Sequence, residues 1–414
     1  MIHKIKIKAG AVQYVLVVSV IILIVLFAFI SLVFLHERVQ LKSDLFQTTY
    51  QNCYAAFDWV EHNRLDYNQE KEMQFSEYSY EKTNILKKRW GIFDLAIVRS
   101  QLKNEISTKV AFLANRNPDR KALYLEDNNQ PLKVVGNTQV IGDVVLPTKG
   151  VGTGNISGTS YYGDQLIYGN IQTNSSTLPT IKNIEYLRNI RSEIFGESFE
   201  YMQLEEGQKT NQSFTKETLV FQSSSTLSLE EMNLSGNIVL ISDKKIIVHS
   251  NSKLRHVILM APEIIVKSGF KGTFQAIAEK RILISKNVQL SYPSAIMVLN
   301  SDHEDSSERI VIENCTDIRG IVLYYDDEQK GNYHTQVQIQ AGAAITGEVY
   351  CNKNLELLGT VNGYVTTSNF ITKQSGGVFI NHIYNGKIDG TNISDQYAGL
   401  FTGEIKNTVA KWVD

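Results

Sequence analysis

The chain has 414 residues, 43% apolar and 20% charged, with a formal net charge of −2. That balance belongs to a folded protein with room for two or three domains, and it excludes a disordered chain and a general nucleic-acid binder. Six prolines and 27 glycines, about 8% of the sequence, exclude a collagen-like or low-complexity filament. Lys4, Lys6 and Lys8 are the only charged residues in 1–35, which leaves 38 basic residues against 43 acidic ones in the rest.

Residues 1–10 read as a basic leader. Residues 11–35 (AVQYVLVVSVIILIVLFAFISLVFL) form a run of 25 without one charge, about 37 Å of helix against a hydrocarbon core of roughly 30 Å. The run therefore predicts a single transmembrane helix. A cleaved secretory signal is the alternative, but its apolar core is shorter and ends in a small-residue cleavage site, which is missing here. The basic excess before the span predicts an N-terminus in the cytoplasm and the bulk of the chain in the periplasm or outside the cell.

An amphipathic extension is expected over 36–66. Phe46, Tyr50, Cys53, Phe57 and Val60 step by four and three residues, and no Pro or Gly falls between Gly10 and Gly91. This stripe either packs on the protein's own outer part or pairs with sister helices or an assembly partner. The leader, Gly10, the apolar helix and its continuation together resemble the N-terminal helix of minor type IV pilin-like proteins. That resemblance implies peptidase cleavage after the glycine and a glutamate five residues on; this chain has Val15 there.

Between 67 and 131 a small α+β linker domain is expected. Phe93, Leu95 and Ile97 alternate, as do Val110 and Phe112 beyond a polar break, the pattern of a hairpin with one apolar face. Trp90, at its start, is either a packed indole or a binding aromatic.

From 132 to 400 the sequence repeats. Apolar triplets start at Ile246, Ile264, Ile282, Ile310, Val337 and Leu355, separated by 18, 18, 28, 27 and 18 residues. A second apolar strand precedes each: 238–241, 257–260, 274–277, 296–299, 321–324 and 349–350. Two short strands per turn of about 18 residues predict a mainly β fold, a right-handed β-solenoid (β-helix) whose coils stack their inward residues. A β-sandwich is the alternative. A second motif, apolar-x-Gly-x-apolar, appears at Gly142, Gly236, Gly320, Gly347 and Gly363 and suits corners that need positive φ. The segment 182–194 (KNIEYLRNIRSEI) has helical spacing and is expected to interrupt or cap the stack, and 401–414 reads as a C-terminal tail. The glycine-bearing rungs resemble bactofilins, polymer-forming β-helical proteins of the bacterial envelope. The resemblance implies a non-enzymatic, membrane-attached scaffold that self-associates.

Both long intervals place their extra residues between the two strands of a coil, at 300–308 (NSDHEDSSE) and 326–334 (DDEQKGNYH). In a stack these loops emerge side by side. Asp302, Asp305, Asp326 and Asp327 are therefore candidate ligands for Ca²⁺ or a glycan, against the alternative of ordinary solvated loops. No other cofactor is expected. Cys53, Cys315 and Cys351 allow one disulfide, between Cys315 and Cys351, or remain free thiols. The glycines of 150–158 lack the following helix that a phosphate cradle needs, and no nucleophile–base spacing, metal motif or dinucleotide fingerprint is present. The sequence predicts a membrane-anchored β-solenoid scaffold or surface-interaction protein of the cell envelope, without enzymatic activity. A minor pilin-like component of a filament or secretion machine and a polysaccharide-binding or polysaccharide-degrading β-helix are the alternatives.

Overall fold

A computed structural model describes residues 9–174, 177–196, 200–202, 204–300, 308–328 and 333–413. The fold is mainly β, with one long apolar helix near the N-terminus. The chain divides into two compact units: Met1–Asp58, Glu70–Ile85 and Val98–Thr108 make the first, and Trp59–Gln69, Leu86–Ile97 and Lys109–Asp414 the second.

In the first unit, helix α1 (Ala9–His62) is uninterrupted, as the lack of Pro and Gly after Gly10 requires. None of its apolar run is buried, and the run is long and apolar enough to cross a membrane. Further on, one face is buried, but not the whole expected stripe. Cys53, Phe57 and Val60 are buried, whereas Phe46 and Tyr50 are exposed and Leu45, Thr49, Asn52 and Ala56 take the inward positions. The seam is made by hydroxyl and amide groups, which an apolar count overlooks. The Thr49 and Ser107 hydroxyls lie 2.8 Å apart, the Asn52 amide donates to Ser100 at 3.4 Å, and Thr83 donates to Ser100 at 2.9 Å.

The expected hairpin is present as Phe93–Leu102 and Glu105–Asn115, within a sheet of five strands ordered Glu70–Met73, Glu81–Trp90, Phe93–Leu102, Glu105–Asn115 and Asn407–Trp412. The last strand is antiparallel to Glu105–Asn115, so residues read as a tail form a sheet edge.

In the second unit the repeats become three parallel ladders. The first runs through 209–212, 233–236, 253–255, 271–273, 289–290, 317–319, 344–346, 360–362 and 387–389. The second runs through 219–223, 238–242, 257–261, 274–278, 295–298, 321–324, 348–351 and 364–367. The third aligns Ile246, Ile264, Ile282, Ile310, Val337 and Leu355 as successive partners, the same residues that open the six triplets. Parallel pairing over this length excludes the antiparallel strands of a sandwich.

Side chains alternate as strand geometry demands. Ile264, Val266, Ile282 and Ile284 are fully buried in an interior cluster, while Ile265 and Leu283 are only half-buried. Val311 shares their register and stands outside the interior cluster, although it is buried. Gly320, Gly347 and Gly363 are direct partners with φ of 142°, 145° and 140°. A Cβ at these positions would collide with the backbone carbonyls of Ser294, Gly320 and Gly347, so the glycine motif records a close approach of coils as well as a turn.

The stacking order departs from chain order. Leu123–Leu125 pairs with 365–367, and Gln139–Ile141 with 387–389, so the coils of 122–173 follow the C-terminal coils in space. The parallel coils therefore begin near residue 122. Helix α2 (Ile184–Gly196) follows in the chain and packs on the outer side of the second ladder. Ile184, Leu187 and Ile190 join Val239, Ile258, Met260 and Ile277 in a second apolar cluster. That explains runs such as Ile238-Val239-Leu240-Ile241: both faces of this ladder are covered. His256, also buried there, packs edge-on to Phe112 with 5.5 Å between centroids. Burial, with Arg255 and Lys411 nearby, pulls its pKa from 6.5 down to about 4.

Two outcomes follow. Ile282→Asp puts an unpaired carboxylate in the interior and should cost at least about 4 kcal/mol or prevent folding, whereas Leu283→Asp should cost under about 1.5 kcal/mol; thermal unfolding of the detergent-solubilised chain measures both. His256 takes up its proton more readily in the unfolded chain. Its contribution is full above pH 6.5 and is lost as the pH falls toward 4, by up to about 3 kcal/mol. His256→Asn, which tolerates the local φ of 61°, should flatten that part of the stability–pH curve.

Candidate functional site

Asp302 and Asp305 lie outside the described residues. Asp326 and Asp327 are adjacent but separately engaged. The Asp326 carboxylate accepts the Glu328 N–H at 2.8 Å and faces the Tyr324 hydroxyl at 3.5 Å, while its backbone is held on both sides by Asn352. Asp327 pairs with Arg188 of α2. Among the described residues no group of three His, Cys, Asp or Glu side chains is placed to hold a metal ion. No disulfide joins Cys53, Cys315 or Cys351. Burial pushes the Cys351 thiol up to about 12, which keeps it protonated and unreactive.

A different site forms on the outer side of the second ladder. Side chains pointing away from the interior line a cavity of about 340 Å³, among them Tyr350, Tyr364, Thr366, Tyr124 and Gln172 from successive coils. The segments around 117–121 and 400–403, with Asn174 and Pro179, wall it. Tyr350 donates to the Pro179 carbonyl at 3.1 Å and Tyr124 to the Thr177 carbonyl at 3.0 Å, which fixes the returning chain as one wall.

At one end sits a buried ion pair between Arg120 and Glu348, with side chains 6% and 7% exposed. The second Glu348 oxygen accepts the Leu400 N–H at 2.6 Å, and Arg120 also donates to the carbonyls of Asn115 at 2.8 Å and Leu400 at 3.2 Å. The guanidinium stands 5.7 Å from the ring centres of both Tyr364 and Tyr397. Tyr292 and Tyr397 donate to the carbonyls of Ala398 and Gly320. Burial raises the Glu348 carboxyl against the opposing pull of Arg120 and the Leu400 N–H. It likewise raises the phenols of Tyr292, Tyr364 and Tyr397, which stay protonated.

Glu348 is not placed to act as a general acid. A general acid needs a carboxyl with a free oxygen facing substrate, and both Glu348 oxygens are occupied by protein donors. What remains is a row of phenol, hydroxyl and amide groups across stacked coils. The sequence could not reveal it, because residues 120, 348 and 397 meet only through the stack. Its one local sign is Glu348, a carboxylate beside the glycine of an otherwise apolar rung. No protein family, curated protein or solved structure matches the chain.

Arg120→Ala leaves Glu348 buried without its cation and should destabilise by about 3–5 kcal/mol, whereas the double change Arg120→Met with Glu348→Leu should recover most of that loss. Thermal unfolding of the two variants and the unaltered chain at one pH measures the difference.

Proposed function

We propose that the chain is a single-span membrane protein that presents a right-handed β-solenoid outside the cytoplasm and acts by interaction, as a bactofilin-like envelope scaffold or surface-interaction module, without turnover. The observation that carries this reading is the union, in one chain, of an exposed uncharged helical run of membrane-spanning length with a long set of parallel coils. The hand is supported by the general rule that parallel strands joined by crossovers wind right-handed. Orientation rests on Lys4, Lys6 and Lys8 before the span and a mixed segment after it. The non-enzymatic part is supported by the engaged carboxylates: Glu348 is held by Arg120 and Leu400, and Asp327 by Arg188. An outward face that repeats at every coil offers a regular surface to an extended partner, such as an envelope polysaccharide or another copy of the chain.

Protease added to intact cells carrying a doubly tagged chain should digest the C-terminal tag and spare the N-terminal one; the reverse pattern overturns the topology. The purified full chain in detergent should release no reducing ends or unsaturated products from a panel of envelope polysaccharides. Release that disappears in a Glu348→Gln variant of unchanged fold would replace the scaffold reading with an enzymatic one.

A further inference from the structure

A second cavity in the same unit, about 330 Å³, lies where the Tyr67-Asn68 loop, the end of strand Glu81–Trp90 and α2 converge. Its geometry is fixed from below. Gln275 donates to the Trp90 carbonyl at 2.9 Å and accepts the Ile92 N–H at 2.8 Å, and it fills the space a side chain at Gly91 would need. Asn68 bonds the Lys87 carbonyl at 2.8 Å, and Tyr67 donates to Asp94 at 3.0 Å, itself paired with Lys87 at 2.8 Å. These contacts hold Arg89 between two aromatic rings, 4.5 Å from the centre of Tyr67 and 4.4 Å from that of Tyr186.

A guanidinium stacked in this way keeps its planar fork of donors but loses most of its rotational freedom. Among the described residues neither Arg89 nor the neighbouring Lys88 has a carboxylate within ion-pair distance. Trp90 is 5% exposed and forms part of the wall, and its indole N–H has no acceptor among the described residues. Ile190, Val239 and Ile258 give the remaining wall its apolar part and Thr218 a hydroxyl, with Glu193 on the lining opposite in charge to Lys88 and Arg89. Two cations and one anion leave a single net positive charge, which matches a singly charged carboxylate better than a dianionic phosphate. The volume is at the small end for ligand sites, which run from about 300 Å³, and suits one or two rings with an apolar face.

We infer that this cavity binds an acidic saccharide: the sugar carboxylate lies on the Arg89 fork beside Lys88, the ring lies against the Trp90 wall, and Glu193 accepts from ring hydroxyls. The site names a partner class for the outer part of the chain and does not depend on membrane orientation, so the protease result above and the binding result below fail separately.

The test uses the full chain in detergent with trigalacturonate, neutral maltotriose of the same ring number, and inorganic phosphate, followed by calorimetry and ligand-observed NMR. Trigalacturonate should bind at least tenfold more tightly than either of the others. Arg89→Ala should weaken it at least tenfold and Arg89→Lys several-fold, because lysine cannot present a fork. Glu193→Gln should strengthen it and admit phosphate, while Lys121→Ala in the first cavity should change nothing. The melting temperature of each variant reports its fold; should Arg89→Ala unfold the chain, the Glu193→Gln and Lys88→Ala pair decides, with opposite shifts in affinity expected. Equal binding of maltotriose, phosphate bound as tightly as trigalacturonate, or affinity unchanged in folded Arg89 and Lys88 variants overturns the assignment.

Discussion

Coil-to-coil hydrogen bonding in register is the constraint from which the rest of the second unit follows. Once Ile264, Ile282 and Ile310 are partners, adding one residue inside a paired strand would turn every following side chain to the wrong face. Length can therefore change only at corners. The two long intervals obey this: 300–308 and 326–334 both fall between the second and third ladders, and the triplets on either side keep their register. The same constraint demands glycine where carbonyls of successive coils approach, as at Gly347 and Gly363.

Packing outside the stack is set by a second requirement. The outward residues of the second ladder are as apolar as the inward ones over 238–241, 257–260 and 296–299, and they need a cover. Helix α2 supplies part of it, and its Arg188 and Arg191 reach Asp327 on one side and Asp243 and Glu279 on the other. Where the cover thins, two cavities open on the same side of the stack, each bounded by residues far apart in sequence.

The interior was legible from the sequence because it is periodic: the triplets, the second strands and the glycine rungs repeat with spacings that point to stacked strands, and their partners are the expected ones. The membrane-length helix was legible from length and lack of charge. The helix seam was only half legible. Thr49, Asn52 and Ser107 are polar by composition yet buried by hydrogen bonding, so a count of apolar residues shifted the inward face toward Phe46 and Tyr50. The sites were least legible. Trp90 was marked as packed or binding, but the stacking of Arg89 depends on Tyr67 and Tyr186, and the Arg120 and Glu348 pair depends on segments that no local pattern connects. Asp326 and Asp327 drew attention through composition, and the structure gives them to Tyr324, Glu328 and Arg188.

The misplaced order of the coils has a consequence for how the chain is made. Glu126 and Ser368, hydrogen-bonded neighbours, are 242 residues apart, and Asn407–Trp412 completes a sheet begun before residue 75. Leu123–Leu125, Leu132–Val135 and Gln139–Ile141 leave the ribosome while their partners at 365–367, 382–384 and 387–389 are still unsynthesised, so the earliest coils wait with an open edge while the middle of the stack assembles. Translation runs from one end to the other, but closure does not: the last segments made are the ones that give the first ones their place.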